Sequence, residues 1–188
     1  MLRQIGIPFT VMGSDVSEEV DVPADPEAHV LTLSRRKAEW VAGRIREGLV
    51  LGVDTIVVLD GCILGKPKDA AEAKLMLRRL SGRGHRVFSG MTLIEVERGT
   101  KDAKDAKQTT ASRFTFRTSD FSVTKVRMRE ILGAEIAWYV GTGEPLDKAG
   151  AYGIQGKGAV FVESIEGCFY NVVGLPLSRL VEMLDWFW

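Results

Sequence analysis

An aspartate inside an apolar run is the first residue of this sequence whose type could support chemistry. Asp54 stands in "LGVDTIVVLD", where β-branched residues predict a strand that the aspartate opens. Burying a carboxylate without a partner is costly, so Asp54 is expected to face a cation, either a metal ion or a lysine. The alternative is that Asp54 caps the turn leading into the strand. On the first interpretation, Asp54 marks a cleft at the edge of a sheet.

Two lysines are candidates for phosphate binding. Lys66 follows a hairpin in "LGKPKD", and the proline after it restricts its backbone, so its ammonium group is a point charge suited to phosphate. Lys37 falls in "SRRKAEW", within an amphipathic helical pattern. For each lysine, a solvated surface position is the alternative interpretation.

Acidic residues early in the chain are candidate metal ligands. Glu18, in "SDVSEEV", clusters with Asp15, Glu19 and Asp21. Carboxylate oxygens are ligands that Mg²⁺ and Mn²⁺ prefer. A solvated acidic loop is the alternative interpretation of this cluster.

Histidine and cysteine chemistry has little support. His29 and His85 have no serine or cysteine partner at a recognisable spacing, which argues against a nucleophilic triad. Cys62 and Cys168 lie far apart, in no metal-ligand spacing. Two free cysteines are also typical of a reducing compartment.

A glycine-rich segment, "DKAGAYGIQGKG" at residues 147–158, predicts close approach of the backbone to another group. Its glycines have neither the P-loop spacing nor that of G-x-G-x-x-G, and the segment follows a predicted helix rather than a strand. A phosphate cradle is therefore disfavoured. A loop that reads the substrate and a tight connection between two elements remain the alternatives.

The surrounding pattern predicts one domain over residues 1–188, with strands and helices that do not alternate strictly. Helices are predicted at 29–45, 69–83, 134–143 and 175–187, and strands at 53–59, 62–67, 85–97, 114–128 and 159–167. Asp69 and Glu72 have the spacing of a capping box. Residues 97–113 are polar and without apolar periodicity, as expected of a surface loop. The predicted class is α/β or α+β, with a mixed sheet.

Charge and hydropathy exclude several functions. Lys and Arg number 25 and Asp and Glu also number 25, so no overall field draws the chain to nucleic acid or to an anionic membrane. The longest apolar run is interrupted by Asp54 and Asp60, which argues against a transmembrane helix. No signal segment opens the chain, and a cytoplasmic location is predicted.

Several of these motifs occur together in the order and spacing of a known family. "GVDTIVVLDG", "LGKPKDAAEA", "MLRRLSG", "GEPLDKAGAYGIQGKGAVFVESIEG" and "YNVVGLPLSRL" resemble the Maf family of nucleotide pyrophosphatases. The resemblance runs from Leu2 to Leu184 and weakens only across residues 97–123. It implies a mixed α/β fold, similar to that of inosine triphosphate pyrophosphatases, with helices flanking the sheet and a long central cleft.

The resemblance also implies an activity and residue roles. Maf-like proteins are cytoplasmic, often dimeric, and use Mg²⁺ or Mn²⁺ to cleave nucleoside triphosphates into a monophosphate and pyrophosphate. Asp54 matches the family's proton acceptor and Glu18 an assisting acidic residue, and both are implied metal ligands. Lys37 and Lys66 match lysines that face the phosphates. Thr55 and Gln155 match the branch that prefers dTTP and UTP.

One family motif has no match in these residues. The phosphate-binding Ser-x-Ser-Pro-Arg-Arg segment, which precedes a helix ending like "LRQIGIPF", is missing. A start codon placed too late, a shortened and impaired protein, and replacement by other basic residues are the three explanations, and the first is favoured because the other site residues are intact. The leading hypothesis is a dTTP/UTP pyrophosphatase that cleans the nucleotide pool. The alternative is a catalytically impaired nucleotide-binding protein linked to septum formation in cell division.

Overall fold

The computed structural model describes residues 1–17, 25–98 and 113–185, and its regular elements form one antiparallel sheet with helices on both faces. The strands are β1 (Gly48–Leu59), β2 (Cys62–Leu64), β3 (Gly84–Glu97), β4 (Arg113–Met128) and β5 (Val162–Glu166). The α-helices are α1 (Pro26–Ala42), α2 (Ala70–Leu80), α3 (Gly133–Gly141), α4 (Phe169–Val173) and α5 (Leu177–Met183). Short 3₁₀ segments cover Leu2–Ile5, Glu144–Asp147, Ala149–Ala151 and Lys157–Phe161.

The sheet has the strand order β2-β1-β3-β4-β5, and each pairing between described strands is antiparallel. The predicted combination of a sheet with flanking helices is confirmed, but the described strands form an antiparallel sheet and not the mixed sheet that was expected. β2 pairs only with the last three residues of β1, from Val57 to Leu59. Within the described ranges, the preceding part of β1 has no second strand partner, so the sheet has an open edge beside Asp54.

Local signals in the sequence place the first hairpin and the second helix correctly. Asp60 and Gly61 join β1 to β2 with positive φ angles of 51° and 78°, as a tight hairpin turn requires. Asp69 caps α2 by accepting a hydrogen bond from the Glu72 backbone N–H at 2.8 Å. The capping box is modified, because the Glu72 carboxylate accepts from the Lys68 N–H at 2.6 Å instead of reaching back to Asp69.

Helix α1 lies against one face of β1 and β3 because two glycines remove the side chains that would hold it away. A Cβ on Gly52 would overlap the Ser34 carbonyl oxygen and approach the Ala38 nitrogen to 2.7 Å. A Cβ on Gly90 would lie 2.5 Å from the Val30 carbonyl oxygen. The helix backbone therefore rests almost directly on the sheet at the level of Asp54, which pairs with Gly90 across the strands.

The opposite face of the sheet is covered by the other helices. Buried residues beneath α2 and α3 include Leu59, Leu77, Val126, Tyr139 and Phe161. A second cluster joins Met91 to Leu175, Leu177 and Leu180 near α5. Because successive strand residues point to opposite faces, Asp54 faces α1 whereas Thr55 faces the second set of helices.

Three further expectations concern the segment between β3 and β4, the terminal helix and membrane-spanning helices. A surface loop is expected at 97–113, but Glu97 belongs to β3, Arg113 belongs to β4, and residues 99–112 lie outside the described residues. The terminal helix is shorter than the predicted 175–187, since it begins at Leu177 after Pro176 and ends at Met183. In the part of the chain that the structure describes, no helix is long and apolar enough to span a membrane.

Candidate active site

A cleft of about 750 Å³ crosses the open edge of β1. Its lining includes the predicted site residues Lys37, Asp54, Thr55, Lys66 and Gln155. These residues come from α1, β1, the segment after β2 and the glycine-rich loop, so the fold brings distant parts of the chain to one place. Glu18, the remaining predicted site residue, lies outside the described residues.

Asp54 is buried and paired with a lysine. Its residue is 7% exposed, and its Oδ1 accepts a hydrogen bond from Lys37 Nζ at 2.6 Å. The expectation that Asp54 faces a cation is confirmed, and the fully solvated alternative for Lys37, whose side chain is 22% exposed, is wrong. Asp54 does not open a strand, because β1 begins at Gly48. The turn-capping alternative is therefore also wrong.

The second oxygen of Asp54 bears on metal binding. Oδ2 is buried and has no hydrogen-bond partner among the described residues. Hard divalent cations such as Mg²⁺ prefer oxygen ligands, so this carboxylate oxygen is chemically suited to bind one. The described residues contain no group of three or more His, Cys, Asp or Glu side chains placed to hold a metal. Asp54 alone would therefore be an incomplete metal site.

Lys66 lines the same cleft as Asp54, on a segment tied to the glycine-rich loop. The Gly65 carbonyl oxygen accepts a hydrogen bond from the Gly150 N–H at 3.0 Å. Lys66 is exposed and lines the cleft, and its charge contributes to lowering the pKa of Asp147, after the larger effect of the Lys148 hydrogen bond. Lys148 Nζ lies 2.6 Å from Asp147 Oδ1, and both residues line the same wall.

Thr55 belongs to a buried polar network that sequence reasoning missed. Its Oγ1 lies 2.8 Å from Ser89 Oγ, and Ser89 Oγ donates to the Asn171 carbonyl oxygen at 3.1 Å. The Asn171 amide donates in turn to the Val87 carbonyl oxygen and to Thr124 Oγ1, each at 3.0 Å. These bonds fix α4, whose last residues Val172 and Val173 line the cleft. The signal was present, since polar residues interrupt the apolar stretches "VFSGM" and "FYNVV".

The glycine-rich segment forms a loop along the cleft, and Gln155 is exposed in it. Gly150 has a φ of 67° and packs on Val57, where a Cβ would meet the valine at 3.0 Å. The prediction that these glycines allow close approach of the backbone is confirmed at this position. Glu144, in the "GEP" that precedes the glycine-rich segment, was not among the predicted site residues but also lines the cleft and contacts the loop.

A buried histidine beside the cleft residue Tyr152 is expected to make the stability of the protein depend on pH. His85 is 4% exposed, its Nε2 lies 2.7 Å from the hydroxyl of Tyr152, and burial lowers the His85 pKa from 6.5 to about 4. The unfolded chain therefore takes up this proton at a higher pH than the folded one. The resulting stabilisation is complete above pH 6.5 and is lost as the pH falls toward 4.

His85→Gln is expected to reduce the dependence of the free energy of unfolding on pH in this acidic range. Between pH 7 and pH 4.5 the wild-type free energy of unfolding should fall more than that of the variant, by up to about 1.4 kcal/mol per pH unit. Urea denaturation at several pH values measures both curves. Parallel curves would show that His85 is not the group responsible.

Together, the fold and the cleft define a mixed α/β protein whose cleft is lined by charged, polar and apolar side chains. The family described as "Maf-like protein" matches residues 1–187, and the chain belongs to this family. Among its relatives is a protein of Carboxydothermus hydrogenoformans, 44% identical over 99% of this chain and 91% of the relative. Others are proteins of Symbiobacterium thermophilum (46% identical, 100% and 87% covered) and Bacillus cytotoxicus (45%, 100% and 88%). All three relatives are named dTTP/UTP pyrophosphatase.

Proposed function

We propose that this protein hydrolyses dTTP and UTP to the nucleoside monophosphate and pyrophosphate. The observation that carries the proposal is the buried Asp54–Lys37 pair, which faces a cleft that Lys66 and Gln155 also line. These four lining residues thus bring a carboxylate, two ammonium groups and a side-chain amide to one cleft. The relatives are named dTTP/UTP pyrophosphatase, and the proposed reaction and substrates are taken from that name. Side chains of these kinds suit both.

Asp54 is proposed as the general base of the reaction. Water attacks the α-phosphorus, a new P–O bond forms, and the bond to the bridging oxygen of the β-phosphate breaks. Asp54 accepts the proton of the attacking water, and pyrophosphate leaves with the electron pair of the broken bond. Lys37 orients this carboxylate by donating a hydrogen bond to its Oδ1 at 2.6 Å.

The lysines are proposed to bind the phosphates. A nucleoside triphosphate carries about four negative charges, and preorganised cations lower the energy of the charge that develops on the leaving group. Lys37 lies beside Asp54, and Lys66 lines the same cleft from the segment after β2. We propose that Lys37 contacts the phosphate group that is attacked and that Lys66 contacts the leaving pyrophosphate.

A divalent cation, Mg²⁺ or Mn²⁺, is proposed as the cofactor. When bound, it would neutralise phosphate charge and polarise the scissile group. Asp54 would hold it through the Oδ2 atom, and Glu18 is proposed as the second protein ligand. Phosphate oxygens and water are the remaining ligands that such an ion requires.

Gln155 is proposed to read the base. Its amide offers a donor and an acceptor, which match the 4-carbonyl and the N3–H of thymine and uracil. Thr55 contributes differently, because its hydroxyl already contacts Ser89 and the Gly174 carbonyl oxygen at 3.4 Å. We therefore propose that Thr55 supports specificity by fixing the cleft wall formed by residues 172–174.

Gln155→Glu is expected to lower the preference for dTTP over CTP by at least about tenfold, because a carboxylate cannot donate to the 4-carbonyl. The ratio of the two kcat/KM values measures this preference. Gln4→Glu makes the same chemical change at an exposed position outside the cleft and should leave the ratio unchanged. An unchanged ratio in Gln155→Glu would contradict the proposed contact.

Pyrophosphate release from a panel of triphosphates, with Mg²⁺ or Mn²⁺, tests the function itself. Turnover of dTTP and UTP above CTP and purine nucleotides is expected. Binding without turnover by folded protein would favour the nucleotide-binding alternative, and a purine preference would contradict the assignment of the base. We place the reaction in the cytoplasm as housecleaning of the nucleotide pool, and the homodimer that is frequent in the family stays a prediction.

A further inference from the structure

One carboxylate holds the part of the glycine-rich loop that carries Gln155. Glu144 is half-buried in the cleft wall, at the start of the 3₁₀ segment Glu144–Asp147. Its Oε2 accepts a hydrogen bond from the Lys157 N–H at 3.0 Å, and its Oε1 accepts from the Gly158 N–H at 3.2 Å. Both bonded amides follow Gln155 within three residues.

A buried tyrosine connects the same carboxylate to the other side of Gln155. The hydroxyl of Tyr139 donates to Glu144 Oε1 at 2.9 Å and accepts from the Gly153 N–H at 3.0 Å. Tyr139 is fully buried and packs edge-on against Phe161, so its position is fixed by the core. The Glu144–Tyr139 pair therefore holds the loop on both sides of Gln155.

This contact helps to explain two glycines of the loop. A Cβ on Gly156 would lie 2.6 Å from Glu144 Cδ, and a Cβ on Gly158 would lie 2.7 Å from the hydroxyl oxygen of Tyr139. Neither glycine has a positive φ. They are needed so that the loop backbone can approach the two side chains.

Glu144 is suited to this task only as a carboxylate. Burial raises its pKa, but hydrogen bonds from the Lys157 N–H, the Tyr139 hydroxyl and the Gly158 N–H outweigh that effect, so the pKa lies below its usual value. Three donors therefore converge on two acceptor oxygens. A glutamine side chain has one acceptor oxygen and an NH₂ group that would meet a donor at one of these contacts.

We infer that Glu144 is the positioning residue for base recognition, because it fixes the backbone on either side of Gln155 and so sets where the Gln155 amide stands in the cleft. The inference rests on the proposed function, since it explains how that site would discriminate bases. Glu144 does not contact the reacting atoms in this account, and its effect passes through the loop.

Glu144→Gln is expected to raise the KM for dTTP about tenfold and to lower the preference for dTTP over CTP by a similar factor, with kcat changed less than about threefold. Glu163→Gln is the matched control, since Glu163 is exposed on β5 and pairs with Arg127 at 3.1 Å, away from the cleft. The control should keep wild-type KM and preference. Equal KM and preference in the two variants would overturn the inference.

Gly156→Ala provides a second test, because the added methyl group would displace the Glu144 carboxylate. It should reproduce the raised KM and the reduced base preference of Glu144→Gln. In a Glu144→Ala background the carboxylate is already gone, so adding Gly156→Ala should change KM by less than about twofold. If Gly156→Ala raised KM as much in the Glu144→Ala variant as in the wild-type protein, the proposed contact between Gly156 and Glu144 would be contradicted.

Hydrogen exchange separates failure of this inference from failure of the proposed function. The amides of Gly153, Lys157 and Gly158 should exchange at least about tenfold faster in Glu144→Gln than in Glu163→Gln, whether or not any nucleotide is hydrolysed. Unchanged exchange would overturn the role of Glu144. If the wild-type protein hydrolyses no triphosphate, the proposed function fails, and exchange still decides whether Glu144 holds the loop.

Discussion

Asp54→Asn is expected to lower kcat for dTTP hydrolysis by about 10³-fold, because the amide cannot take the proton from the attacking water. It should also destabilise the fold by about 1–3 kcal/mol, since the hydrogen bond from Lys37 to this buried side chain would no longer join two opposite charges. Steady-state pyrophosphate release and urea denaturation measure the two effects on the same preparation.

A second variant separates the two effects. In Asp54→Asn with Lys37→Met both charges are gone, so part of the lost stability should return. Activity should stay at least about 10³-fold below wild type, because the proposed base and one proposed phosphate-binding lysine are both absent. Asp60→Asn is the matched control, because Asp60 is exposed in the hairpin turn and pairs with Arg83. Activity recovering together with stability would show that Asp54 serves the fold and not the reaction.

Gly52→Ala is expected to destabilise the protein by about 3 kcal/mol and to lower kcat/KM about tenfold in the folded fraction. Its Cβ would overlap the Ser34 carbonyl and approach the Ala38 nitrogen to 2.7 Å, and helix backbone cannot move aside as a side chain can. Helix α1 must then shift, carrying Lys37 away from Asp54. Chemical denaturation and steady-state kinetics measure these losses.

Gly141→Ala is the control for this substitution. Gly141 is the last residue of α3, and a Cβ there would meet nothing within 4 Å. Alanine should therefore be neutral or stabilise by about 0.5–1 kcal/mol through its helix propensity. Equal stability of Gly52→Ala and Gly141→Ala would contradict the close packing of α1 on β1.

The Asp54–Lys37 pair shows which part of the site could be predicted from sequence. An aspartate in an apolar run must have a partner, and this followed from solvation energy alone. The identity of the partner did not follow, because it depends on how α1 crosses β1. That crossing is set by Gly52 and Gly90, whose role appears only when the two backbones are seen in contact.

The glycine-rich loop shows what could not be predicted from the sequence. Its composition predicted close approach, and its spacing disfavoured a phosphate cradle, but neither indicated which group the backbone approaches. Glu144 stands within "GEP", a sequence that local turn chemistry explains without any further partner. Contacts between Glu144, Tyr139 and residues 153–158 arise from packing of α3 on the core and cannot be read from periodicity.

Cleavage of dTTP between the α- and β-phosphates, with Asp54 as the base, is the reaction proposed for this cleft. Phosphorus NMR of the purified protein with dTTP and Mg²⁺ tests this reaction, because the method identifies each phosphorylated product. Equal amounts of dTMP and pyrophosphate are expected from the wild-type protein, and almost none from Asp54→Asn. Formation of dTDP and phosphate, or undiminished dTMP formation by Asp54→Asn, would contradict it.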